Sequence, residues 1–189
     1  MSTAIEWQWL PFDALSREQL YALLRLRSEV FVVEQNCVFL DMDGQDEKAM
    51  HLLGLRASAG SAQDTEQTPG SPATSAEAHA LELVAYVRCF PAGITFKEAS
   101  IGRVITKPSA RGGGLGHLLM AQAIRALHQH WGPQAIRIGA QAHLKNFYQQ
   151  HGFVDWGLPY VEDGIDHLQM VRTASNSVGD RAKDLPHKI

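Results

Sequence analysis

The stretch "SARGGGLGHLL", Ser109 to Leu119, limits what this chain can fold into more than any other. Gly112, Gly113, Gly114 and Gly116 stand together, although each glycine inside a helix costs roughly 0.5–1 kcal/mol relative to alanine. Just before them, "ASIGRVIT" reads as a strand closed by Lys107-Pro108. Just after them, Leu115, Leu118, Leu119, Ala123, Ile124, Leu127 and Trp131 mark one face of a long helix from about Gly114. The glycines therefore occupy a strand-to-helix junction. They are either a plain turn or a place where the backbone must come close to a ligand. A helix N-terminus presents unpaired N–H groups and the positive end of the helix dipole, so it can bind phosphate. Arg111 adds a cation beside it.

The flanking sequence predicts an α/β protein with six or seven strands and three or four helices. Glu6 to Leu10 forms a first strand ended by Pro11. Ser16 followed by Gln19 is a capping-box signature, and Leu20, Leu23, Leu24, Arg27 and Phe31 continue at helical spacing. "VFVVEQNCVF" fits helix and strand alike, and "LDMDGQDEKAM" is a polar, acidic loop. "HLLGLRA" is a short strand, and Leu81 to Phe90 alternates with period two. "AIRIGA" is another strand, Leu144, Phe147, Tyr148 and His151 share a short helical face stopped by Gly152, and "FVDW" and "HLQMVR" are two last strands.

Length and composition set the class. The 189 residues, 45 % hydrophobic and 20 % charged, suit one soluble domain over residues 1–174. Residues 58–79 hold no large apolar side chain and read as a disordered insertion, and 175–189 as a flexible tail. The net charge of −3 gives no reason to expect nucleic acid or anionic membrane as the main partner. Two cysteines make no disulfide framework, and no basic leader or stretch of ~20 apolar residues stands out, so the expected place is the cytoplasm. Oligomeric state is not legible; a homodimer is one open arrangement.

The loop matches neither common nucleotide pattern. Gly116 is followed by His117 and Leu118, not by the Lys-Ser/Thr of a P-loop, and the third glycine of the dinucleotide fingerprint is missing. What stands is Arg111-x-x-Gly114-x-Gly116, then a long helix, a strand, and "NFYQQHGF" from Asn146 to Phe153. In that order these elements resemble the GNAT family of acetyl-CoA-dependent N-acetyltransferases over roughly residues 5–173. "LGLRA", "VRCFPAG", "IGRVIT", "GAQAHLKNFYQQHGF" and "VEDGIDHLQM" are similar to its ElaA-type branch. Gln141 and Leu144 depart from the asparagine and alanine that many members carry there.

The resemblance implies a mixed, mostly antiparallel sheet that splays between the strand before the glycine loop and the next strand. It implies acetyl-CoA as cosubstrate and no metal. The diphosphate would lie on Arg111, Gly112, Gly113, Gly114, Leu115, Gly116 and His117. The pantetheine arm would pair with Val104, Ile105 and Thr106, with Asn146 a further contact. Tyr148 would protonate the departing thiolate; from the residues alone it is equally a core aromatic. The base stays open among Glu34, His167 and a water relay. Glu34 is otherwise a solvated carboxylate, and His167 otherwise a strand residue bonded to a carbonyl. The acceptor would be a primary amine of a small molecule or peptide. A non-catalytic coenzyme A-binding module is the alternative reading, against which Tyr148 stands, because a pure binder needs no acid beside the sulfur.

Other clusters are weaker. His143 reads as a cap-region residue, and His128 and His130 point to different sides of a helix. Asp41, Asp43 and Asp46 begin like a calcium loop, but Leu52 stands where the twelfth-position glutamate belongs. The run Asp41 to Glu47 is expected to be solvated, or to draw a cationic amine. Cys37 is either a nucleophile near the acceptor loop or a small buried hydrophobe.

Overall fold

The structure, a computed structural model, describes residues 4–58 and 81–174. The predicted insertion and tail lie outside the described residues but for Ser58. Strand β1 (Glu6–Pro11) leads to helix α1 (Arg17–Arg27). The capping box forms as predicted: the Gln19 N–H donates to Ser16 Oγ at 3.2 Å, and the Ser16 N–H donates to Gln19 Oε1 at 2.9 Å. The helix then widens into a π-helical stretch, Ser28–Glu34, which resolves the ambiguous segment.

Strands β2 (Met50–Ala57), β3 (Leu81–Phe90) and β4 (Ala99–Thr106) follow. Helix α2 (Leu115–Trp131), β5 (Ile136–Gln141), the short α3 (Lys145–Gln149), β6 (Val154–Asp155), β7 (Tyr160–Glu162) and β8 (Ile165–Arg172) complete the domain. The sheet runs β1-β2-β3-β4-β5-β8-β6, with β7 also on β8. It has eight strands among the described residues, not six or seven; β7, only three residues long, is the one the sequence conceals. All pairings are antiparallel except β4 with β5.

Helix α1 covers one face of the sheet, where Leu23 and Leu26 meet Leu53, Leu55, Tyr86 and Ile105. Helices α2 and α3 cover the other, where Leu119, Ala123 and Leu127 meet Leu52, Val87, Cys89 and Ile101. β3 is therefore buried on both faces, and its period-two pattern divides it between two cores rather than between core and water. Leu118, placed by spacing on the buried face of α2, is solvent-exposed.

β4 and β5 pair only at Ala99–Ile136 and Ser100–Arg137. Beyond Ser100 they separate, and the cause lies in β4. Arg88 faces Gly102 and Tyr86 faces Ile105, so β4 carries one residue more than β3 between these points. Such a bulge bends a strand and sharpens its twist. Arg103 within it takes φ 54, a conformation costing a non-glycine residue roughly 1–2 kcal/mol. It is held there by Asp41, whose Oδ1 accepts from Arg103 Nε at 2.7 Å, and by the rings of Phe31 and Phe39 at 5.8 and 5.5 Å.

Candidate active site

Two cavities open where β4 leaves β5. The smaller, about 140 Å³, is a slot lined by Val104, Ile105, Thr106, Gly116, Leu144, Phe147 and Tyr148. The larger, about 710 Å³, lies between the β4 bulge, the segment after α1 and the β7–β8 hairpin. Val104, Leu144 and Tyr148 line both and form the passage between them.

The glycine loop stands at the outer end of the slot. Gly112 and Gly114 have φ 90 and 76, so the turn itself requires them. Gly113 has no such need: its φ is ordinary, and an added Cβ would meet nothing within 4 Å. Gly116 would place a Cβ at an ordinary 3.6 Å from Phe147. The protein's own packing does not explain these last two glycines, which leave the cradle open. Helix α2 starts at Leu115 after Gly114, so its unpaired amides point into this open cradle.

Lys107 N–H donates to the Val84 carbonyl at 2.8 Å. By strand alternation the main-chain groups of Ile105 also face β3, and those of Val104 and Thr106 face the gap. Of the three residues expected to pair with a pantetheine arm, Ile105 is thus turned away. The Thr106 carbonyl already accepts from Arg111 Nε and Nη2 at 3.3 and 3.2 Å. Val104 is left with open main-chain groups.

Glu34 and Arg111 are each other's partners. Arg111 Nη1 and Nη2 donate to the two Glu34 oxygens at 2.7 and 3.0 Å. Arg111 ties the loop to β4 and to the end of the π-helical stretch, and Glu34 lines neither cavity. Glu34, a candidate base by resemblance, is thus paired with Arg111 in the free protein. Asn146 is exposed and lines neither cavity; its neighbours Phe147 and Leu144, which the motif did not flag, form the slot wall. His117 lies on the outer side, tilted against Phe147 at 4.7 Å between ring centroids and 3.0 Å from His151 through their ring nitrogens.

Tyr148 is buried, and its hydroxyl makes no hydrogen bond to a described residue. Burial pushes its phenol up to about 12, so it carries its proton at neutral pH. His167 lines the larger cavity. Its Nδ1 lies 2.8 Å from the Ile165 carbonyl, which can only accept, so Nδ1 carries the proton and Nε2 keeps a lone pair. The carbonyl bond expected of His167 is present, and its Nε2 makes no hydrogen bond to a described residue. Tyr160 stacks on it at 5.6 Å.

The acidic run is not a solvated loop. Arg27, fully buried in α1, donates from Nε to Asp41 Oδ2 at 2.8 Å and from Nη1 to Asp46 Oδ1 at 2.7 Å. Arg88 bridges Asp43 and Asp46. The hydrogen bonds from Arg88 hold the Asp43 carboxyl down to about 2. Burial opposes ionisation of Asp46, but Arg88 and Arg27 outweigh it and keep it below the usual carboxylate range. His51 bridges Tyr86 and the Asp46 carbonyl, at 2.8 and 3.0 Å. The network forms the floor of the larger cavity. Its carboxylates serve arginines, and among the described residues no three His, Cys, Asp or Glu side chains gather as a metal site. Cys37 is buried and donates to the Asp163 carbonyl at 3.4 Å, linking the segment after α1 to the β7–β8 hairpin. No helix among the described residues is long and apolar enough to cross a membrane.

A splayed mixed sheet, with a glycine cradle feeding a slot that ends at a tyrosine, defines an acyltransferase. The chain belongs to the GNAT family: the profile described as "Acetyltransferase (GNAT) domain" matches residues 73–174. It is 40 % identical over 170 residues to Protein ElaA of Escherichia coli, covering 89 % of this chain and 96 % of that protein. The crystal structure of Escherichia coli ElaA superposes with a TM-score of 0.70 at 39 % identity, over 89 % of this chain and 99 % of that one. An acyl-CoA N-acyltransferase from Pseudomonas aeruginosa superposes with a TM-score of 0.74 at 34 % identity, over 90 % and 100 %.

Proposed function

We propose that this protein transfers the acetyl group of acetyl-CoA to a primary amine by direct attack. The observation that carries the reading is the continuous path from the open glycine cradle, along the unpaired edge of β4, to the Tyr148 hydroxyl. The relative from Pseudomonas aeruginosa is named for acyl-CoA, which supports the choice of donor. The coenzyme supplies an activated thioester. The amides at the start of α2, with Gly112 to Gly114, bind its diphosphate. Val104 offers its N–H to the thioester carbonyl and steadies the charge that forms there. His167 Nε2 takes the proton of the incoming ammonium. As the C–N bond forms and the C–S bond breaks, Tyr148 gives its proton to sulfur, the second proton of the nitrogen passes through solvent to the Tyr148 phenolate, and His167 releases its proton to solvent.

Two glycine variants test the donor site. Acetyl-CoA at a hundredfold excess over its dissociation constant should stabilise the wild type by about 2.7 kcal/mol. Gly113→Ala meets no neighbour in the free protein, so melting without ligand should not move. Its methyl group enters the cradle, and acetyl-CoA affinity should fall about tenfold or more, equivalent to at least about 1.4 kcal/mol. Gly114→Val, forced into φ 76, should abolish binding. Wild-type affinity in both variants would reduce the loop to a turn.

Glu34→Gln separates base from strut. The Glu34–Arg111 pair is exposed, and such pairs contribute about 0–1 kcal/mol. The variant should keep kcat within about fivefold of wild type, because 1.4 kcal/mol corresponds to tenfold and the pair is worth at most about 1 kcal/mol. A hundredfold loss of kcat would return Glu34 to the role of base and remove His167 from it.

A further inference from the structure

The larger cavity carries information about the acceptor, and this step rests on the acetyltransferase reading above. Aromatic and aliphatic side chains make up about half of its lining, and polar ones, Gln35, Gln45, Arg88 and Gln141 among them, make up the rest. Phe31 and Phe39 meet edge to face at 6.4 Å on one side, and Phe96 and Ile94 stand on another. The rim is mixed: Leu40 and Ile94 line the cavity and are 75 % and 46 % exposed, beside the exposed Asp43, Thr95, Glu162 and Asp163. A space of about 710 Å³ suits a small organic molecule.

The charges of the cavity are mostly spent. Arg88 is held by Asp43 and Asp46, and Arg103 by Asp41 and Asp43. An acceptor carboxylate would have to compete with the buried Asp41 and Asp46 and the exposed Asp43 for these guanidinium groups. A third ammonium would have to take Asp43 from Arg88. Glu162, at the turn of the β7–β8 hairpin, lines the cavity and forms no ion pair with a described residue. It stands beside Tyr160, whose ring covers His167 and whose hydroxyl fills the place a Gly139 side chain would need, 2.6 Å from a Cβ built there. A negative charge, a phenol and a basic ring nitrogen thus lie together at one end of the chamber, with the rings of Phe31 and Phe39 elsewhere on its wall.

We infer that the acceptor is a monoamine on an apolar body of about the size of a benzene ring, its ammonium received by Glu162 next to His167 and its body against Phe31 and Phe39. Zwitterionic amino acids and polyamines are poor acceptors on this assignment. The first lack a free cation for their carboxylate, and for a triamine such as spermidine only Asp163 stands beside Glu162, which leaves one ammonium without a carboxylate.

The test uses the full chain and three probes at fixed acetyl-CoA: 2-phenylethylamine, L-phenylalanine and spermidine. Release of free thiol is followed, and acetyl-CoA affinity is measured separately by calorimetry. The expected kcat/KM for 2-phenylethylamine exceeds that for each of the others at least tenfold. Glu162→Gln should raise the KM for 2-phenylethylamine roughly tenfold, the scale of a hydrogen bond to a charged group. It should leave kcat and acetyl-CoA affinity in place, and Glu162→Asp should restore part of the loss. Preference for spermidine or phenylalanine, or an unmoved KM in Glu162→Gln, overturns the acceptor assignment while acetyl-CoA binding keeps the transferase reading. Absence of acetyl-CoA binding in the wild type overturns both.

Discussion

Arg27→Met should lower the stability of the folded protein by about 3–5 kcal/mol, the usual cost of removing one partner from a buried ion pair. Methionine fills much of the arginine's volume, so packing on α1 is kept and the charge alone is lost. Asp41 and Asp46, both buried, would then stand without the guanidinium that now takes three of their oxygen contacts. Domains of this kind are stable by only about 5–15 kcal/mol, so the loss is a large part of the total. Urea unfolding checks it: the midpoint falls with an unchanged slope. Adding Asp46→Asn to Arg27→Met should recover part of the stability, because it removes the stranded charge. A loss below about 1 kcal/mol would mean that the network is solvated after all. Acid should attack the same floor. Asp43 titrates at about 2 in the folded protein, below its unfolded value, so its stabilising contribution is complete above that value. It is lost as pH falls from about 4 towards the folded pKa.

This network also shows where sequence reading stops. Arg27 was legible only as a member of the helical spacing of α1, and Asp41 to Glu47 only as an acidic loop. The pairing joins residues separated by 14 and 19 positions, and no local pattern encodes that. A cation on the apolar face of a helix was the one available sign. Local chemistry fared better. The capping box at Ser16, the bounds of β4 and the start of α2 after Gly114 follow from neighbours within a few residues, and the structure has all three. The bulge at Arg103 left a trace in Gly102, since a glycine inside a strand pattern often marks such an irregularity. β7 left almost none, because three residues are too few to show a period. At the site, the motif led to Tyr148, Val104 and the glycines. It could not show that Glu34 and Arg111 would neutralise each other across 77 positions, or that Leu144 and Phe147 would form the slot wall.

Tyr148→Phe should lower kcat by roughly 10- to 100-fold, the low end of general acid catalysis, because a thiolate leaves tolerably without a proton. Phenylalanine keeps the ring, which meets Phe147 and Phe153 edge to face at 5.0 and 6.1 Å. The hydroxyl removed makes no hydrogen bond to a described residue, so no partner is stranded and folding should be unaffected. The KM for acetyl-CoA should change little, since the glycine cradle and Val104 lie elsewhere on the path. A loss confined to kcat marks an interaction made chiefly in the transition state. Burial raises the phenol to about 12, so the acid form dominates at every pH where the protein is assayed. In the wild type, therefore, Tyr148 should add no alkaline limb to the rate profile below about pH 11, one unit under that value. Thiol release measured with a saturating amine, under single-turnover conditions, isolates the chemical step. Turnover of the variant at the wild-type rate there would leave Tyr148 as a packing residue, and the proton for sulfur would have to come from solvent reaching the passage between the two cavities.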